Sequence, residues 1–235
     1  MATKMDQKTL KQAAGEEAAK VVKDGQVVGL GTGSTVEWTI RALGRRVAEE
    51  GLDILGVPTS ERSDKLAGTL QIPLTTLDEH PVIDVTIDGA DEVDRDFDLV
   101  KGGGGALTRE KIVAAASRYE VIVVDPSKLV DRLARAFPLP VEVVPMAVPT
   151  VRAELETMGC EVSRRMSGTK PFRTDNGMAI LDARFPSGVQ DKKQTEADID
   201  LLPGVLENGL FLGLCHEVVV GHPDGVRRLR PGEWL

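Results

Sequence analysis

Short apolar runs that end in glycine-rich or acidic loops, each followed by a helical pattern, constrain this chain more than any other feature. Val27 to Leu30 runs into Gly31-Thr32-Gly33-Ser34-Thr35, and the amphipathic stretch Val36 to Glu50 follows, with Trp38 and Leu43 among its apolar positions. Ile54 to Val57 precedes a helix start over Ser60 to Leu66, with Ser60 or Ser63 as its cap. Val82 to Ile87 delivers Asp88, and Phe97 to Val100 delivers Lys101. Leu107 to Tyr119 then reads as a helix and Val121 to Val124 as a buried strand, while Thr9 to Lys23 forms a leading helix ended by Asp24-Gly25. Repeated strand-loop-helix units imply a mainly parallel sheet covered on both faces.

The texture changes after Val124. Between Pro126 and Pro149 the chain carries five prolines, which mark a boundary or a set of edge strands. Beyond them come a strand-like Val141 to Val144, a helix near Thr150 to Met158, strands near Glu161 to Met166 and Met178 to Ala183, and a helix near Lys193 to Leu201. The tail from Leu210 to Leu229 supplies more strands, Glu217 to Val220 being the clearest, with a turn at Pro223-Asp224-Gly225. The expected fold is α/β. A Rossmann-like, mostly parallel sheet with helices on both faces is built from residues 1–132 and 207–235, and a smaller α+β unit of ferredoxin-like kind is inserted at 133–206.

At 235 residues the chain can bury a sizeable core, and its formal charge of -8 and pI near 5.1 argue against nucleic acid or an acidic membrane as the main partner. Any positive potential must be local. Cys160 and Cys215 are far apart without metal-type spacing, which fits a reduced cytoplasmic setting. The segment Met1 to Lys11 is polar and lacks an apolar leader core, and no apolar run approaches the ~20 residues that span a bilayer.

Three loops carry chemistry. Gly29-Leu30-Gly31-Thr32-Gly33 begins like a dinucleotide fingerprint, but Ser34 stands at the third glycine position and no acidic residue closes the next strand. What remains is either a capped helix start or a cradle of amides and hydroxyls (Thr32, Ser34, Thr35) for phosphate or carboxylate. Asp88-Gly89-Ala90-Asp91-Glu92 reads as an ordinary turn, as carboxylates for sugar hydroxyls or proton transfer, or as a divalent-metal site with Glu92 and Asp94. Four glycines, Gly102 to Gly105, follow Lys101 and suit close backbone approach to a ligand beside a cation. Glu110 alone would be a glutamate complementing a helix dipole, and Lys128 alone a solvated lysine.

Taken in order, five segments resemble ribose-5-phosphate isomerases of the A type: Gly-Thr-Gly-Ser-Thr at 31–35, Asp-Gly-Ala-Asp-Glu at 88–92, Lys-Gly-Gly-Gly at 101–104, Ala-Leu-Thr-Arg-Glu-Lys at 106–111 and Phe-Pro-Leu-Pro-Val-Glu-Val at 137–143. The likeness runs from about Lys11 to the Pro-Asp-Gly-Val near the end. It departs at Gly105, where alanine is expected, and around Arg164 to Arg173, a stretch placed in the inserted unit away from the expected chemistry. The resemblance implies interconversion of ribose 5-phosphate and ribulose 5-phosphate through an enediolate, in the non-oxidative pentose phosphate pathway, without metal or organic cofactor. It implies Glu110 as the base, and Lys101 with the amides of Gly102, Gly103 and Gly104 as the oxyanion stabilisers. Asp88 and Asp91 would hold hydroxyls and assist ring opening. Thr32, Gly33, Ser34, Thr35, Gly89 and Ala90 would line the pocket, and Lys11 and Lys128 would meet the phosphate. The implied assembly is a homodimer or a dimer of dimers.

Two other classes remain compatible with the residues. One is a non-catalytic sugar-phosphate sensor, which the lack of a DNA-binding segment and the presence of Glu110 disfavour. The other is a different sugar-phosphate enzyme of the same fold, which a substrate panel would reveal. A metal-dependent enzyme is disfavoured because His80, His216 and His222 show no ligand spacing.

Overall fold

The computed structural model describes residues 6–234, so the polar N-terminal reading over residues 1–11 falls partly outside them. Helix α1 (Gln7–Ala18) starts under an Asp6 cap and tightens into a 3-10 turn at Ala19–Val21. It is followed by β1 (Gln26–Leu30), α2 (Val36–Glu50), β2 (Ile54–Pro58), α3 (Glu61–Thr69), β3 (Val85–Gly89), β4 (Glu92–Val93), β5 (Leu99–Val100), α4 (Leu107–Ala115) and β6 (Glu120–Val124). Local chemistry sets several boundaries. Gly51 ends α2 at φ 72°, a left-handed conformation glycine adopts without strain, and Ser60 and Ser63 cap α3 reciprocally.

Some expected elements are shorter because tertiary pairing claims their ends. Helix α4 stops at Ala115 instead of reaching Tyr119, since Arg118 N–H donates to Ile83 O and Thr86 N–H to Tyr119 O. Phe97 adopts φ 64° in a tight turn, so β5 begins only at Leu99. Asp88 lies within β3, opposite Ile122, and not in the loop beyond it.

The inserted segment contains β7 (Leu139–Val143), α5 (Val148–Thr157), β8 (Glu161–Arg164), the small hairpin β9 (Met166–Ser167) and β10 (Lys170–Pro171), β11 (Ala179–Arg184), α6 (Lys192–Asp200) and β12 (Val205–Asn208). Its antiparallel sheet has the order β12-β7-β11-β8. The proline-rich run therefore leads to an interior strand and not an edge. Pro140 is tolerated because it lies past the last β12 pairing, at Asn208–Val141, where Gly209 N–H takes its carbonyl.

The chain closes with β13 (Leu210–Phe211), β14 (Glu217–His222) and β15 (Gly225–Leu229). The main sheet runs β15-β14-β6-β3-β1-β2, parallel throughout except for β15 against β14. Both faces are covered, so β6 is apolar on both sides. Val121 and Val123 pack with Ala14, Ile40 and Leu43 of α1 and α2, whereas Ile122 and Val124 pack with Leu107 and Ala114 of α4. Strands β1, β3 and β6 thus present their carboxyl ends together, the edge where open α/β sheets bind ligands. Among the described residues, no helix is long and apolar enough to cross a membrane.

Candidate active site

A tight crossing of two strand ends builds the floor of the site. A Cβ at Gly31 would lie 2.3 Å from Asp88 Oδ1 and 2.6 Å from Asp88 Cα, so only glycine lets β1 turn this close to β3. Asp88 Oδ1 accepts the amides of Thr32 at 2.9 Å and Gly89 at 2.7 Å. Lys101 Nζ sits 3.0 Å from Asp88 Oδ2, in ion-pair contact without hydrogen-bond alignment, and donates to Gly89 O at 2.5 Å.

Helix α4 then brings Glu110 in from the side, with Oε1 3.5 Å from Lys101 Nζ and Oε2 buried without a partner. Burial pushes the Glu110 carboxyl up to about 8; Lys101 opposes that rise and Asp88 and Asp91 add to it. For Lys101, burial favours the neutral amine, but the carboxylates of Asp88 and Glu110 outweigh it and hold the ammonium above its ordinary value. A carboxyl poised near neutrality beside a fixed cation is an arrangement suited to proton transfer.

Glu110 and Lys101 open onto a cleft of about 570 Å3, part of it open to solvent. One wall is the glycine loop Gly102 to Gly104, whose Gly103 N–H donates to Asp91 Oδ2 at 2.7 Å. Burial raises the Asp91 carboxyl, against that hydrogen bond and the nearby cations. Gly89 and Ala90 form the rim beside Asp91. Across the cleft lies Thr32 to Thr35, at the start of α2, whose first turn no side chain caps. Lys11 and Lys128 complete this far end; Lys11 Nζ donates to Ser34 Oγ at 3.1 Å. Gln7 Nε2 donates to Asp125 Oδ2 at 3.1 Å and so ties α1, which carries Lys11, to the cap of the 3-10 turn Pro126–Lys128 that follows β6 and carries Lys128.

The structure thus gathers the sequence-predicted residues around one cleft, with Asp88 beneath the others. Asp88 is fully buried at the floor of the cleft, where it pairs with Lys101 and accepts the amides of Thr32, in the Gly31 turn, and of Gly89. The carboxylates of the metal alternative for this loop have protein partners. Glu92 accepts the amides of Ala134 and Phe137, and Asp94, with Asp96 and Asp98, surrounds the Lys192 ammonium.

Three further residues escaped the sequence reading. Glu142, buried in β7, accepts Thr108 Oγ1 of α4 at 2.5 Å and Thr174 Oγ1 at 2.6 Å, which anchors the helix carrying Glu110 to the inserted sheet. A lone glutamate inside the apolar Val141 to Val144 was the available signal. Glu120, expected to precede β6, begins it; its carboxyl is buried, and burial with the Asp88 charge drives it well above its ordinary value. Arg165 belongs to the stretch placed away from the chemistry, yet it donates to the carbonyl of Gly102 at 2.7 Å. No local pattern announced that reach.

Fold and cleft together define an α/β protein with a small-molecule site at the carboxyl edge of its parallel sheet, built around a buried lysine and carboxylates. The family model of ribose 5-phosphate isomerase A (phosphoriboisomerase A) matches residues 55–225. Ribose-5-phosphate isomerase A of Methanothermobacter thermautotrophicus is 50% identical over 223 residues, covering 94% of this chain and 97% of that one. Its counterpart in Bacillus mycoides is 47% identical over 218 residues, covering 93% and 98%. Among solved structures, ribose 5-phosphate isomerase A from Methanocaldococcus jannaschii superposes with a TM-score of 0.91 at 44% identity, covering 96% of this chain and all of that one. A D-ribose-5-phosphate isomerase in complex with phospho-erythronic acid gives 0.93 at 40% identity, over 96% of this chain and 100% of its own. This chain belongs to the ribose 5-phosphate isomerase A family.

Proposed function

We propose that the protein interconverts D-ribose 5-phosphate and D-ribulose 5-phosphate, with Glu110 as the base. The observation that carries this reading is Glu110 Oε2, buried and unpartnered in the cleft wall, on a carboxyl held near neutrality beside Lys101. The C–H bond at C2 of the open-chain aldose breaks as its proton passes to Glu110. The electron pair forms the C1–C2 double bond of the enediolate, and charge collects on the former carbonyl oxygen. Returning the proton to C1, with a proton moving from the C2 hydroxyl to the C1 oxygen, yields the ketose. Oxidation at C2 balances reduction at C1, so the substrate is its own redox partner.

The oxyanion falls to Lys101 and the glycine-loop amides, a form of stabilisation that often contributes most to such rates. Thr32 to Thr35 at the uncapped start of α2 take the phosphate with Lys11 and Lys128, using amide donors and local positive charge despite the chain's net charge of -8. Asp91, on the cleft rim, holds substrate hydroxyls and assists opening of the furanose ring. Residues 1–132 with 207–235 form the catalytic domain, and 133–206 the inserted one. We place the protein in the cytoplasm, in the non-oxidative pentose phosphate pathway, as a homodimer or dimer of dimers, with a sugar phosphate and no nucleic acid as its partner.

The test is conversion of ribose 5-phosphate by purified protein, with and without chelator, alongside Glu110→Gln. Chelator-resistant turnover that falls at least a thousandfold in the variant, with inhibition by inorganic phosphate intact, supports the reading. Turnover that survives the substitution removes Glu110 from its role.

A further inference from the structure

Four consecutive glycines carry no side chain to hold their shape, and two of them, Gly102 at φ 98° and Gly105 at φ 85°, sit in the left-handed region. Left alone, such a loop samples many conformations, and its amides would point at a developing charge only part of the time. The restraint comes from Arg165, between β8 and β9 of the inserted segment. Its Nη1 donates to two successive carbonyls, Gly102 O at 2.7 Å and Gly103 O at 3.0 Å. Asp182 on β11 grips the same guanidinium through both oxygens, at 3.0 Å to Nε and in a second contact to Nη2. Phe172 lies 5.9 Å from the guanidinium and presses against Gly105, where a Cβ would meet its ring at 2.6 Å.

Peptide planarity turns this grip into an orientation. In a trans peptide the C=O and N–H point in opposite directions. The Gly102–Gly103 unit displays the consequence: its carbonyl faces Arg165 and its N–H faces Asp91 Oδ2. By the same geometry, holding the Gly103 carbonyl turns the Gly104 N–H away from Arg165, and Gly104 lines the cleft. That N–H donates to no protein group among the described residues. Arg165 itself does not line the cleft.

We propose that Arg165, clamped by Asp182, is a positioning residue for the oxyanion loop, aiming the Gly104 amide from the inserted segment at the site where charge develops. This rests on the isomerase reading above, and it gives the inserted segment a part in rate and not only in packing. Because Arg165 touches the loop and not the substrate, its loss should act on stabilisation of the enediolate and spare the phosphate, which falls to Thr32 to Thr35, Lys11 and Lys128.

The experiment compares Arg165→Met, which keeps the stem and removes the fork, and Arg165→Lys, which keeps charge but not the two-pronged geometry. Four quantities are read: kcat, KM for ribose 5-phosphate, inhibition by inorganic phosphate, and inhibition by phospho-erythronic acid, whose carboxylate puts charge where the enediolate does. For Arg165→Met the expectation is a kcat lower by roughly 30- to 100-fold, somewhat below the full loss of an oxyanion donor. Inhibition by phospho-erythronic acid should weaken at least tenfold, while KM and phosphate inhibition change less than threefold. Arg165→Lys should recover part of the loss. A kcat at the parent level overturns the proposal, as does equal weakening of both inhibitors, which would mark general loosening. If Arg165→Met fails to fold, either of those two results in Arg165→Lys overturns it in the same way. A parent protein that binds both inhibitors but turns nothing over would sink the isomerase reading instead; a selective loss of phospho-erythronic acid binding in the variants would then still support the aiming of Gly104.

Discussion

Replacing Glu110 with glutamine should stabilise the fold, by an amount that grows with pH. In the folded chain burial lifts this carboxyl from an ordinary 4.5 to about 8. Between those values the folded state keeps a proton that the unfolded chain gives up. The group's stabilising contribution is therefore complete below pH 4.5 and is lost as pH rises through 8. Glutamine never ionises and suffers no such loss. Each pH step within the window is worth about 1.4 kcal/mol, so the parent falls behind the variant by roughly 2 kcal/mol at pH 6 and roughly 5 kcal/mol at pH 9. A fixed offset from packing the amide beside Lys101 shifts both figures but leaves the widening of about 3 kcal/mol intact. Urea unfolding of both proteins at equal concentration, from pH 6 to 9, reads this directly. With a slope near the upper end for a chain of this size, the gap in midpoints should widen by about 1 M. A gap that stays constant or narrows would refute the reasoning, because it would mean that Lys101 outweighs burial and keeps Glu110 ionised at neutrality. The same ionisation should appear in kcat/KM, which is expected to climb through pH 8 as the free enzyme's base loses its proton.

Lys101→Met leaves the buried Asp88 carboxylate without its cation, a change expected to destabilise by about 3–5 kcal/mol and to lower kcat at least 100-fold; unfolding within 1 kcal/mol of the parent would contradict it. Gly31→Ala forces a methyl into Asp88, backbone included, and should destabilise by about 1–3 kcal/mol with a shifted Lys101. Gly104→Ala meets only Thr32 Cγ2, at an ordinary 3.8 Å, and should unfold like the parent; equal thermal melts for the two alanine variants would show that the close crossing does not govern the floor.

Much of the frame was legible locally. Helix α2 matches its sequence pattern from Val36 to Glu50, and β1 and β2 lie within a residue of theirs. Apolar periodicity, caps and glycine stops act over a few residues, so they survive in the sequence. The loops at 31–35, 88–92 and 101–105 were visible for the same reason: glycine clusters beside acidic, hydroxyl or basic residues are costly unless backbone must pass close to something. Less was legible where distant pairing overrode local pattern, as at the end of α4, the turn at Phe97 and the interior strand behind the prolines.

The sequence by itself determined the order of the main strands and helices, the sites of the strand-end loops and the family likeness. Only the tertiary structure decided what those residues do to each other. Asp88 stood in the sequence as an acidic residue at a strand end, and only the fold made it the buried counter-ion of Lys101. Glu110 looked like a dipole-complementing glutamate and gained its proton affinity from the burial that α4 and its neighbours impose. Arg165 reaches Gly102 across 63 positions of chain. Periodicity and turn chemistry are properties of neighbours in sequence, whereas burial, charge coupling and the aiming of an amide are properties of neighbours in space, and the fold alone fixes those.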